Sequence, residues 1–148
     1  MKDTMKPARK AFYDLLNNNL SYNSELVPVY DKKRKVQDLN TFFVLFGVQQ
    51  ETPDPVDGAW ITDCTIDLEI IYRSHHEVSQ DPVDDVSDQI YELLEPYAGE
   101  NGLPAQPFFL IQLVRRQVAV SRVFEISTTE SEVSKIITIA FKMIQQAA

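Results

Sequence analysis

The chain has 148 residues, 22 acidic against 14 basic side chains, a formal net charge of −8 and one cysteine, Cys64. This length suits a single domain over 1–148 that buries about 70% of the surface its unfolded chain would expose, so no metal or disulfide is needed for stability. The charge disfavours phosphate-backbone binding, an intrachain disulfide is excluded, and neither the N-terminal residues nor any later stretch carries the apolar run of a signal peptide or membrane span, so a cytosolic setting is expected.

Ala8, Ala11, Phe12, Leu15 and Leu16 recur at intervals of three and four, which predicts a helix over 7–20 that opens near Pro7, with Asn17, Asn18 and Asn19 ending the pattern. Val27-Pro28-Val29-Tyr30 predicts a short extended piece, because proline holds its own φ and pushes its predecessor toward β. Lys32, Lys33, Arg34 and Lys35 follow as a solvated basic loop. Residues 41–50 carry Phe42, Phe43, Val44, Leu45, Phe46 and Val48. Apolar on both faces, this strand is expected centrally in the sheet, with a bulge at Gly47. The proline, aspartate and glycine of 52–58 predict the tip of a hairpin.

The return strand, 60–73, alternates. Trp60, Cys64, Ile66, Leu68, Ile70 and Tyr72 occupy even positions, while Asp63, Thr65, Asp67, Glu69 and Arg73 occupy odd ones. Successive strand residues point to opposite faces, so one face meets a core and the other is an acidic face in solvent, with only Thr62 and Ile71 out of pattern. Cys64 falls on the apolar face and reads as a buried, reduced thiol.

Asp81 and Pro82 open a second helix as N-cap acid and first-turn proline. Val83, Val86, Ile90, Leu93, Leu94 and Tyr97 form its buried stripe, Asp84, Asp85 and Asp88 lie near the positive end of its dipole, and Gly99 stops it. After a loop rich in proline and glycine, 108–114 returns to the sheet and 118–126 continues or pairs with it. The polar residues 128–132 make the last turn, and 135–144 alternates Ile137, Ile139, Phe141 and Met143 against Thr138, Ala140 and Lys142. The order predicts an α+β fold: a mainly antiparallel, twisted sheet with two helices packed on one face.

Few residues suggest chemistry. His75 and His76 adjoin Glu77, but neighbours on an extended chain point apart, and zinc requires three or four converging ligands. No nucleophile stands in a supporting context, and Gly47, Gly58, Gly99 and Gly102 form no phosphate-binding loop, so neither catalysis nor a cofactor is expected. Asp63, Asp67 and Glu69 stand about 7 Å apart at each two-residue step. They read either as solvated decoration or as the working surface of an assembly. Lys32, Lys33, Arg34 and Lys35, with Arg115 and Arg116, are basic patches in an acidic chain; they suit a head-to-tail contact between copies or with a partner.

The succession of an N-terminal helix, V-P-V-Y, a long hairpin through F-F-V-L-F-G-V and C-T-I-D-L-E-I-I-Y-R, a D-P-V-D-D-V helix and closing strands resembles the tail terminator, or tail completion, proteins of tailed bacteriophages. The resemblance runs from about residue 7 to 144 and includes Tyr72-Arg73-Ser74 followed by the helix over 83–97. It implies a structural virion protein at the head-tail junction or tail end: a homo-oligomeric ring, hexameric as a rule and twelvefold in related connectors. Its neighbours would be portal or connector and tail proteins, and DNA would pass through its channel. The acidic face of Asp63, Asp67 and Glu69 would then line the channel or meet a neighbour. Two other classes stay open on the residues themselves: a small cytosolic adaptor or accessory binding domain, and a small enzyme using His75 or His76.

Overall fold

The structure, a computed structural model, describes residues 2–31, 42–53, 60–74, 79–114, 118–127 and 130–146. The first helix, α1, is Met5–Leu16 and buries Ala8, Ala11, Phe12 and Leu16. Pro7 lies within its first turn, where the missing N–H has no intrahelical partner to lose. The helix ends at Leu16 and not at Leu20. Asn17 turns extended (ψ 128°), Asn18 adopts φ 63°, and the Asn19 side-chain amide donates to the Leu15 carbonyl at 2.8 Å. Asparagine enters the left-handed region more readily than most residues, so this run terminates the helix, and Leu20 reaches the core from the turn behind it.

A small hairpin that the patterning did not predict comes next, β1 (Ser21–Tyr22) against β2 (Glu25–Leu26). Asn23 and Ser24 at φ 50° and 67° supply the two left-handed residues of a type I′ turn. The main sheet follows: β3 (Val29–Tyr30), β4 (Phe42–Pro53), β5 (Ile61–Ser74), β6 (Phe109–Leu113), β7 (Val118–Ser127) and β8 (Glu130–Gln145), with α2 (Asp81–Leu94) between β5 and β6. The strand order is β3-β4-β5-β8-β6, and β7 also pairs with β8. Pairing is antiparallel except between β3 and β4. Because β6 meets residues 141–145 of β8 and β7 meets 130–138, the two follow one another along the same side of β8. The fold is α+β, as its sequence predicts.

The even residues Cys64, Ile66, Leu68 and Ile70 of β5 and the odd residues Val133, Ile137, Ile139, Phe141 and Met143 of β8 are buried in one cluster with Phe12 and Leu16 of α1 and Val83, Val86, Ile90 and Leu94 of α2. Phe12 and Phe141 meet with ring centroids 5.2 Å apart. Lys135 on this face donates to the Asp84 carboxylate at 2.9 Å, which ties the first turn of α2 to the sheet.

Four further details depart from the sequence reading. The central strands are β5 and β8; β4 lies one place from the edge and is apolar on both faces because Phe43 and Leu45 pack on the outer side, Phe43 against Tyr30 at 6.0 Å. Its register slips by one residue between Phe46 and Gln49, the bulge expected at Gly47. Trp60 is 55% exposed: its carbonyl still accepts the Gln145 N–H at 2.9 Å, but it stands at the end of the ladder, one residue before Ile61. Tyr97 is 72% exposed because α2 stops at Leu94: Glu95 precedes Pro96, whose ring disfavours helical geometry in the residue before it. The helix cap is Gln80, with Asp81 one residue inside and its N–H donating to Ser79 Oγ at 3.3 Å.

Leu68 and Ile90 are each fully buried in the shared core. Leu68→Asp or Ile90→Asp strands an unpaired charge there, and each variant is expected to lose cooperative folding. Circular dichroism with thermal melting checks this; soluble, cooperatively melting variants would contradict the packing described.

Candidate functional site

The surface that carries the sequence's acidic pattern is the side of the sheet turned away from the helices. On β5 it presents Ile61, Asp63, Thr65, Asp67, Glu69, Ile71 and Arg73; across the ladder stand Ile144, Lys142, Ala140, Thr138, Ile136, Ser134 and Glu132 of β8. Asp63 accepts from Lys142 Nζ at 2.7 Å, and Asp67 accepts from Thr138 Oγ1 at 2.7 Å. Glu69 faces Ile136. Of the three carboxylates Asp63 alone is exposed; Asp67 and Glu69 are half-buried between neighbouring side chains.

This face is graded. At one end Arg73 Nε donates to Glu132 at 2.7 Å while its guanidinium lies 5.6 Å from the Phe43 ring, and Leu45, Ile71, Glu132 and Ser134 are buried around them. The buried Ile71, out of step with the alternation, belongs to this end. At the other end Asp63 and Lys142 stand open with Thr65 and Ala140 between them and the middle of the sheet. The stripe is therefore not three free charges. Lys142 offsets Asp63, which leaves Asp67 and Glu69 as the net negative part, and an exposed pair such as Asp63–Lys142 stabilises by only about 0–1 kcal/mol.

Cys64 opposes Glu51 on β4 and Phe141 on β8, with Thr4 beside it at the start of α1. Burial is the main cause that pushes its thiol up to about 11, and the nearby Glu51 and Asp63 carboxylates add to the rise. Such a thiol is a packing group and a poor nucleophile at neutral pH. Thr4 Oγ1 donates to the Glu51 carboxylate and so ties α1 to β4.

A second surface was not legible as such in the sequence. A groove of about 730 Å³ lies between the C-terminal end of α2, residues 99–101 and the edge of β6. Leu94, Tyr91, Leu110 and Leu113 supply its apolar parts, and Glu95 and Glu100 its charge. It is built by the turn that follows α2. Gly99 adopts φ +83°, with its N–H donating to Glu95 Oε1 at 2.8 Å, and the Gly102 N–H donates to the Leu94 carbonyl at 2.7 Å. A Cβ on Gly102 would stand 1.8 Å from the Leu93 carbonyl oxygen. Gly99 and Gly102 were the available signal, but reading them as a groove required knowing that β6 returns beside α2.

The basic residues Lys32, Lys33, Arg34, Lys35, Arg115 and Arg116, and the histidines His75 and His76, lie outside the described residues. Among the described residues no three His, Cys, Asp or Glu side chains converge as a metal site, and no helix is long and apolar enough to cross a membrane. No protein-family model and no curated protein sequence matches the chain.

Two outcomes follow from this geometry. Gly102→Ala is expected to destabilise the fold by about 1–3 kcal/mol, because the α2 terminus must move to admit the methyl group, and a drop in the denaturant midpoint measures it. For Cys64, the folded pKa lies above the unfolded one. Its contribution is therefore complete below about pH 9 and is lost as pH rises through about 11, amounting to about 2–3 kcal/mol. The difference in unfolding free energy between wild type and Cys64→Ala should shrink across pH 9–11 by that amount.

Proposed function

We infer that this chain is a structural subunit of a tailed-phage virion, one that assembles into a ring at the head-tail junction or tail end and acts without catalysis or a cofactor. The observation that carries the reading is the division of the molecule into two unlike sides. Both helices and the core occupy one side of the sheet, and the other carries Asp67 and Glu69 beside the Asp63–Lys142 pair. The element order read from the sequence supports it as well. A sheet whose outer face turns toward a ring axis would present net negative charge to DNA, and like charge lets a polyanion pass without being held. The neighbours would be portal or connector proteins on one side and tail proteins on the other, with six subunits the expected ring.

Light scattering after size exclusion tests the assembly: an oligomer of six or more is expected, with association weakening as salt rises. A monomer or dimer at every concentration, alone and with connector or tail components of the same particle, would overturn the reading. Asp67→Lys with Glu69→Lys should leave the fold intact and make the assembled ring retain double-stranded DNA at low salt, where the wild-type ring does not. Equal retention by both would remove the carboxylates from the channel.

A further inference from the structure

The groove beside α2 has a feature that the outer sheet face lacks: unsatisfied main-chain groups next to charge. Phe108 accepts from the Gln146 N–H at 2.7 Å, and the Val114 N–H donates to Ala140 at 3.0 Å. In an antiparallel pair successive residues alternate between facing the partner and facing away, so Ile111 and Leu113 turn their N–H and C=O groups outward, into the groove. The Ile111 carbonyl is taken by the Asn101 side-chain amide at 2.6 Å. The N–H and C=O of Leu113 have no partner among the described residues. Beside them Leu110 is 52% and Val114 38% exposed, large values for aliphatic side chains, and the charged lining residues are Glu95 and Glu100. Such a surface fits an extended segment with cationic side chains: backbone groups for Leu113, aliphatic stems along the leucines and charged heads at the carboxylates.

The longest cationic run in the chain is Lys32, Lys33, Arg34 and Lys35. It cannot fill the groove of its own copy. The run is joined to Asp31, the residue after β3, and β3 and β6 are four strand positions apart, about 19 Å. The row of Tyr30 passes through Leu45, Glu69 and Ile136, whereas Leu113 lies opposite Phe141, a further offset of about 17 Å along the strands. The run must also return to Phe42, farther away still, opposite Tyr72 and Val133 and about 30 Å from Leu113. The seven residues from Lys35 to Phe42 span about 25 Å at most.

We propose that the groove formed by α2, residues 99–101 and the edge of β6 receives the basic run 32–35 of a second copy of this chain. The contact joins two different parts of the chain and is therefore head-to-tail, the kind that closes into a ring when the rotation permits. It deepens the ring reading, on which it rests, by naming the two surfaces that meet.

Charge exchange tests it in the full-length chain, by analytical ultracentrifugation at low and physiological salt. One variant carries Glu95→Lys and Glu100→Lys; the other carries Lys33→Glu and Arg34→Glu. Each alone is expected to associate about tenfold more weakly than wild type. Mixed one to one, the two restore association, because each altered surface then finds its complement on the other variant. The groove carboxylates are exposed, and circular dichroism checks that both variants remain folded; because Glu95 also accepts the Gly99 N–H, Glu95→Gln with Glu100→Gln removes the charge while keeping an acceptor for that bond, and a smaller loss of association is expected for it. A wild-type oligomer that neither pair of changes weakens, or variants weakened but not restored on mixing, would overturn this contact and leave the ring reading standing. A wild-type chain that stays monomeric would overturn both.

Discussion

The antiparallel ladder between β5 and β8 is the constraint on which the remaining structure depends. It runs without interruption from Ile61 opposite Ile144 to Ser74 opposite Ser131. Because side chains alternate at every residue, a slip of one position would carry Asp63, Asp67 and Glu69 into the core and turn Ile66, Leu68 and Ile70 out to water. Burying three carboxylates without partners costs far more than a domain's net stability, so the register has one acceptable value. Everything else is referred to it: α1 and α2 lie on the side where the aliphatic residues emerge, and the graded polar face is its other side.

The two edges of the sheet are handled differently from the centre. On β4 the bulge after Phe46, the charge of Glu51 and the missing N–H of Pro53 make the far part of that edge a poor template for another strand. On β6 the Gln106 carbonyl takes the Phe109 N–H at 3.3 Å and Asn101 covers the Ile111 carbonyl. These features discourage indiscriminate sheet extension. Leu113 keeps outward main-chain groups, bounded by α2 and two glutamates, and β7 continues the same edge beyond it.

Charge follows the same division. Several of the carboxylates are engaged within the molecule: Asp63 with Lys142, Asp84 with Lys135, Glu132 with Arg73 and Asp14 with Lys10. Those bonds orient side chains and contribute little stability where they are exposed. Among the described residues, Asp67 and Glu69 on the outer face of the sheet and, separately, Glu95 and Glu100 at the groove have no basic partner. A single description as an acidic surface therefore conceals two separate groups of carboxylates, one on the outer sheet face and one at the groove.

The periodic segments were legible from their residues alone. The alternation of 60–73 identified β5 and its buried face, the stripe Val83, Val86, Ile90 and Leu94 identified α2, and Gly47 marked the bulge, because each signal is local and repeats within one element. Ends were less legible. Leu20 and Tyr97 continue the apolar spacing of their helices but lie beyond them, since Asn18 and the residue before Pro96 decide where hydrogen bonding stops. The pairing of Asp63 with Lys142 and of Asp67 with Thr138 joins residues more than 70 positions apart, and no local pattern encodes it. The groove is the extreme case: Leu94, Glu95 and Glu100 acquire a meaning only when β6 returns along β8 and places Leu113 beside them. Amino-acid order determined which faces are apolar and which residues break the chain's regular structure, because those are properties of neighbours. Which charges are neutralised and which residues line the groove were decided by long-range strand pairing, because only that brings distant residues within bonding distance.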